Sequence, residues 1–221
     1  MTGEKTVEKR KRIKKHLLLV LQEHIWPILS KEGFSWRKNS LKFRRESKES
    51  IQILNFGFSL PKYRDDPVEA YIEPWITIYM PGIGKHVMEL LEDTMLIANS
   101  DPSMIFNFSV GKVGPERSYQ NWKLTNEKMM SELGRSMAQF TNNYVLPFLN
   151  QYQSTADIVE GLNSGDDRLD LGISFWIKLT SAYLDNGKVD EAKEFLYSKI
   201  DGKVGLMKEF KRAIEYFERR T

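Results

Sequence analysis

The chain has no cysteine among its 221 residues. That excludes disulfide bridges, thiolate nucleophiles and zinc centres with sulfur ligands, and it suits a reducing cytoplasm. Histidine is scarce as well. His16, His24 and His86 are dispersed, none has a second histidine one helical turn away, and no His-Glu-x-x-His sequence occurs. No metal and no cofactor is expected. Long apolar runs are also missing. The stretch Leu17 to Leu21 follows the basic cluster Lys9 to Lys15, but a secretory signal needs roughly 7–15 apolar residues and a membrane span about 18. A soluble chain with no membrane partner is the expectation. There is no extended glycine, proline or serine tract of the kind that marks a disordered linker.

What is present is a globular composition, 41% hydrophobic and 12% aromatic, in a chain long enough to bury roughly 70% of its unfolded surface. Charge is divided unevenly. Residues 1–48 carry 14 Lys or Arg against 5 Glu, a local net of +9, so the remaining residues must be net acidic to leave the chain at +3. Such segregation suits an anionic partner for the basic part, or mutual neutralisation on one surface.

The pattern along the chain predicts an α+β fold: an antiparallel sheet of about four or five strands with helices packed on one face, plus a helical C-terminal tail. Residues 1–165 form the expected core domain and 166–221 the tail. Ile13, Leu17, Leu21, Ile25 and Ile28 mark a first helix from about Glu4 to Ser30. Pro27 has no N–H to donate one turn back, so a kink is expected near His24 to Trp26, and Gly33 reads as the left-handed stop. Strands follow over roughly 34–46, interrupted at Lys38 to Ser40, and over 51–60. A third runs from Ala70 to Met80, with Pro74 pointing to an edge or bulge, and a fourth from Ser103 to Val110. Helices are expected over Lys85 to Ala98 and Asn126 to Tyr152, the second bent at Pro147 with Met130, Leu133, Met137, Phe140, Tyr144 and Phe148 as its stripe. Ser154 to Asp157 reads as a capping box.

In the tail, Trp176, Leu179, Tyr183, Gly187, Ala192 and Leu196 resemble one tetratricopeptide helix hairpin. Thr180 replaces the usual glycine and no proline closes the unit. One repeat cannot build a peptide groove, so a packing role is expected. The order Pro27 to Leu29 with Gly33 and Phe34, then Phe43 and Arg44, the strand Ile53 to Phe58, and Leu146 to Leu149 before a capped helix resembles a bacterial domain-of-unknown-function family, number 4304. The resemblance spans about residues 10–165. It implies a fold and no activity.

Candidate chemistry is thin. Between a strand and a helix, Pro81 to Lys85 stands where a phosphate loop would, but Tyr79 replaces the first glycine of a Walker motif and His86 its hydroxyl. Asp65, Asp66, Glu92, Asp93, Asp166, Asp167 and Asp170 could serve as acids or bases only in a shifted environment. No catalytic residue is assigned, and an enzyme is disfavoured. The basic hairpin is the stronger signal: Arg37, Lys38, Lys42, Arg44 and Arg45 interleave with Trp36, Leu41 and Phe43. Cations with aromatics suit single-stranded nucleic acid, while lysine and arginine also protect an exposed strand edge. Strand alternation predicts an open sheet face displaying Asn55, Ser59, Trp75, Thr77, Tyr79, Asn107 and Ser109, flanked by Lys42 and Arg44. The partner site is assigned to Lys42, Arg44, Asn55, Trp75, Tyr79 and Asn107. The function expected from it is a non-enzymatic protein-interaction module of the inhibitor or immunity type, with an acidic protein as partner. The alternatives are a single-stranded RNA-binding domain and a hydrolase with unplaced carboxylates.

Overall fold

A computed structural model of the chain describes residues 3–63, 67–91 and 100–220, and of residues 3–5 and 127 only the backbone. The architecture is α+β. Six strands, β1 (Ser35–Trp36), β2 (Lys42–Glu46), β3 (Ile51–Ser59), β4 (Ala70–Tyr79), β5 (Met104–Ser109) and β6 (Trp122–Leu124), form one antiparallel sheet in the order β1-β2-β3-β4-β5, with β6 paired to the start of β4. Pro74 was expected at an edge or bulge. Instead β4 is a central strand running unbroken from Ala70 to Tyr79, and Pro74 stands just beyond its last pair with β6, Ile72 to Trp122. A residue with no N–H is tolerated where that ladder has ended.

The chain divides into two compact units. The first comprises Met1–Glu46, Gln52–Thr77 and Phe108–Asn150, and the second Ser47–Ile51, Ile78–Asn107 and Gln151–Thr221. This grouping differs from a division at residue 165, because the segment 78–107 and the capped helix at Thr155 belong with the tail.

In the first unit, helix α1 (Gly3–Val20) passes through a π turn at Leu21–Ile25 into α2 (Trp26–Leu29), and Gly33 stops the chain at φ 80°. Helix α4 (Met130–Phe140), numbered after α3 of the second unit, repeats the device. A π turn at Thr141–Val145 leads into α5 (Leu146–Gln151), which contains Pro147. In both places the N–H before the proline bonds five residues back, Trp26 to Leu21 and Leu146 to Thr141. The proline kinks expected from sequence are thus π turns.

The apolar sheet face carries Phe43, Leu54, Phe56, Ile72 and Ile76, all fully buried. Trp26 of α2 stacks on Phe43, and Phe148 of α5 meets Phe108 edge-on at 5.7 Å. The N-terminal segment and the helix pair after residue 130 therefore cover this face.

In the second unit, α3 (Gly84–Leu90) follows β4, and α6 (Thr155–Asn163) begins at the expected capping box, in which Ser154 and Asp157 bond each other's backbone N–H. The expected helix end near Ala98 lies outside the described residues. Helices α7 (Ile173–Asp185) and α8 (Val189–Ile200) form the predicted hairpin around Gly187, with Leu179, Tyr183, Ala192 and Leu196 buried. Short helices α9 (Val204–Glu209) and α10 (Lys211–Glu218) complete the unit.

A basic groove on the open sheet face

The β2–β3 turn is closed by the Ser47 N–H, which donates to Ser50 O at 2.9 Å. The antiparallel ladder is already in phase at Phe56, whose N–H donates to Leu41 O at 2.8 Å. Alternation along β2 sends Phe43 into the core and leaves Lys42, Arg44 and Glu46 exposed. On the neighbouring strand, β1 pairs Ser35 with Arg44 and Trp36 with Phe43. Between them the chain turns at Asn39, at φ 70°, and Trp36 Nε1 closes the loop on Ser40 O at 2.8 Å. The result is a shallow groove of about 360 Å³, with Ile53 at its base and Ser35, Arg37, Ser40, Lys42, Arg44 and Glu46 around it.

Beneath the groove lies an aromatic stack, with Trp36 on Phe43 at 5.3 Å and Phe43 edge-on to Phe56 at 5.8 Å. The rings interleaved with the cations in sequence thus face the core. The expectation of rings free for stacking beside the basic side chains is corrected for Phe43, which is fully buried; Trp36 is partly exposed and packs on it.

Arg45 needs a second correction. Sharing the phase of Phe43, it leaves the basic face and enters a structural network. Its guanidinium donates to Gln52 Oε1 at 3.0 and 2.6 Å, to Glu32 O at 3.0 Å and to Asn150 Oδ1 at 2.7 Å. The buried Gln52 in turn donates to Leu149 O at 2.7 Å. Burial lowers the Arg45 pKa, against the raising effect of Glu32.

Across β3 the same face continues through the partly exposed Ile53, Asn55 and Ser59. Ser59 Oγ donates to Glu73 Oε1 at 3.0 Å, which aligns this face with Tyr71, Glu73 and Trp75 of β4, all partly exposed. Tyr119 also bonds Glu73. Burial first, then that bond, pushes the phenol up to about 12. Within the first unit the structure therefore brings Lys42, Arg44, Asn55 and Trp75 onto one face. Tyr79, partly exposed, and Asn107, exposed, belong to the second unit. Ser109 was expected to be open, yet it is buried and caps the turn after β5 by accepting the Gly111 N–H.

Asp166 and the glycine loop have partners within the chain. Asp166 accepts from Tyr152 and Arg168, and despite partial burial these bonds hold its carboxyl at about 2. The Asp185 carboxylate packs against the glycine loop. It lies 2.7 Å from where a Cβ on Gly82 would stand, and it accepts from Thr155 Oγ1 at 2.7 Å. Asp65, Asp66, Glu92 and Asp93 lie outside the described residues. Lys178, which sequence reading passed over, is buried on α7 and donates to Ser100 Oγ at 3.1 Å, Asp101 O at 3.4 Å and Met104 O at 2.5 Å. Its signal was its position inside Ile177, Leu179, Thr180 and Ser181, a helix stretch buried all round.

No protein-family model, no curated protein and no solved structure matches this chain. The resemblance to the domain-of-unknown-function family rests on its motif order alone.

Proposed function

We propose that the protein is a non-enzymatic interaction module that holds an acidic protein partner on the open sheet face, with Trp75 and Asn55 at the centre and Lys42 and Arg44 at the rim. One observation carries the reading. Arg37, Lys42 and Arg44 of the hairpin line an open groove, while Phe43 between them is buried and the partly exposed Trp36 packs on it. Single-strand binders need bases stacked beside the phosphates they neutralise, and between Lys42 and Arg44 the buried Phe43 supplies no such platform. Trp75 is a partly exposed ring on the same face as Asn55, and tryptophan is a residue type favoured at interface centres. A carboxylate-rich protein surface suits both parts.

The test is affinity capture from lysate of the source cells, with and without nuclease, using the wild type, Trp75→Ala, and Lys42→Glu with Arg44→Glu. A nuclease-resistant protein partner should be retained by the wild type. Trp75→Ala should speed its release about 30-fold, since an anchor ring is worth roughly 2 kcal/mol. The double charge reversal should mainly slow association and flatten its salt dependence. Capture abolished by nuclease would assign the face to RNA, and equal capture by all three proteins would remove the face from the function altogether.

A further inference from the structure

The groove between β1, β2 and β3 is not uniformly cationic, and the arrangement of its charges narrows what it accepts. Lys42, Arg44 and Glu46 occupy alternate positions of one strand and are exposed on one face, so neighbouring heads arise from backbone positions about 6.6–6.8 Å apart. Arg37 lies beside them across the loop. Among the described residues, neither Arg37 nor Lys42 has a carboxylate within salt-bridge distance. Arg44 does: its Nη2 lies 2.8 Å from Glu46 Oε1, with the two side chains 49% and 62% exposed. Such an exposed pair contributes between nothing and about 1 kcal/mol and is readily exchanged.

We infer that the groove reads an extended acidic segment with carboxylates at alternate positions, and that Glu46 is an internal competitor occupying Arg44 until such a segment displaces it. This rests on the proposed function and names the feature the partner must present. An extended strand lying along β2 repeats at the same spacing, so carboxylates at positions i and i+2 meet Lys42 and Arg44 together. Two adjacent acids send one of their carboxylates to the opposite side. Glu46, at the next position, repels a third acid and ends the acceptable pattern. The charge sequence of the face is therefore two acceptor-seeking cations and a stop, and ligand binding requires exchanging one weak ion pair for another.

The experiment uses two end-blocked, fluorescein-labelled threonine peptides of equal length that each carry two Glu residues, at positions i and i+2 in the alternating peptide and at i and i+1 in the contiguous one. An oligouridylate of equal charge is the third probe. Affinities are read by fluorescence anisotropy at low salt. The wild type should prefer the alternating peptide by at least about threefold. Glu46→Gln, a substitution at an exposed position, should tighten that peptide about three- to fivefold, the factor expected when a competing pair of this kind is removed. Arg44→Gln should weaken it and abolish the benefit of Glu46→Gln in the double variant. If Glu46→Gln leaves affinity unchanged or lowers it, the competitor role is wrong. If the contiguous peptide or the oligouridylate gains as much as the alternating one, the groove is a general anion patch and the spacing rule is wrong. Either failure leaves the proposed function standing as long as Trp75→Ala still releases the captured protein. Loss of the Trp75 effect overturns that reading itself.

Discussion

At Gly134 on α4 a gain in helix propensity opposes a steric cost, so the sign of one substitution tests the packing of the first unit. On an open helix face, replacing glycine with alanine should gain about 1 kcal/mol, through better helix propensity and a less free unfolded chain. Here a Cβ at residue 134 would stand 2.2 Å from His24 Cδ2 and 2.8 Å from Val20 Cγ1. Ordinary carbon contacts lie at about 3.5–4.0 Å, so the His24 ring would have to give way by more than an ångström. That ring belongs to the first π turn, with its side chain only 13% exposed, and its Nε2 is already buried without a hydrogen bond. Overpacking of this kind costs about 1–3 kcal/mol, and the propensity gain offsets part of it. Gly134→Ala should therefore destabilise by about 1–2 kcal/mol, a fall in Tm of roughly 2–8 °C for a chain of this size. In His24→Ala the obstructing ring is gone, and adding Gly134→Ala on that background should be neutral or stabilising. Urea denaturation of the four proteins gives the coupling directly. A Gly134→Ala variant about 1 kcal/mol more stable than the wild type would mean that these helices do not approach as described.

Two further outcomes follow from groups that sequence reading misplaced or passed over. Arg45→Met should cost about 3 kcal/mol in chemical denaturation, because Gln52 Oε1 and Asn150 Oδ1 lose a charged donor in a partly buried setting; a loss under about 0.5 kcal/mol would show that the network contributes little. Lys178 should give the protein a pH signature. Burial lowers its pKa to about 8 from 10.5, against the raising effect of Asp101. Between those two values the unfolded chain binds more protons than the folded one, so the contribution of this group rises as pH climbs through that window and is lost as pH falls through about 8. The stability difference between the wild type and Lys178→Met should therefore shift in favour of the wild type between these pH limits, and a difference that stays flat would refute the assignment.

Much of the fold was legible because its signals are local. Alternation from Gln52 to Ser59 identified β3 and the face it buries, and Ser154 with Asp157 announced α6. The same rule placed Lys42 and Arg44 on the open face, and applied one residue further it would have separated Arg45, which shares the phase of Phe43. What was not legible depends on long-range contacts. Nothing near Gly82 indicates that the carboxylate packed against its loop comes from Asp185. Nor does the alternation of β5 reveal that Ile105 and Ser109, on its expected open side, are both buried. Alternation states which side of a strand a residue occupies, and only the tertiary fold decides whether that side is covered.

The two π turns show a pattern that sequence reading came close to and missed. Among the buried residues of the first helical segment one series is Ile13, Leu17, Leu21, Ile25 and Leu29, flanked by Val20, and among those of the second one is Leu133, Met137, Thr141, Val145 and Leu149, flanked by Met130, Gly134, Leu146 and Phe148. Both series step by four without a break. In an α-helix of 3.6 residues per turn each step of four overshoots by about 40°, so four steps would swing the last residue about 160° from the first. A helix can keep such a series on one side only if some turn holds extra residues, and an i→i+5 turn does this. Ile28, Phe140 and Tyr144, assigned to the buried stripes by the ordinary period, are accordingly only partly buried, while Leu29, Thr141 and Val145 are buried in full. Proline supplies the local cause, since Pro27 and Pro147 leave a carbonyl without its donor one turn earlier. The strict spacing of four supplies the reason that the widened turn suits the core. In this chain each four-residue repeat that runs into a proline coincides with a π turn, and beyond it Leu29 and Leu149 lie on the buried side.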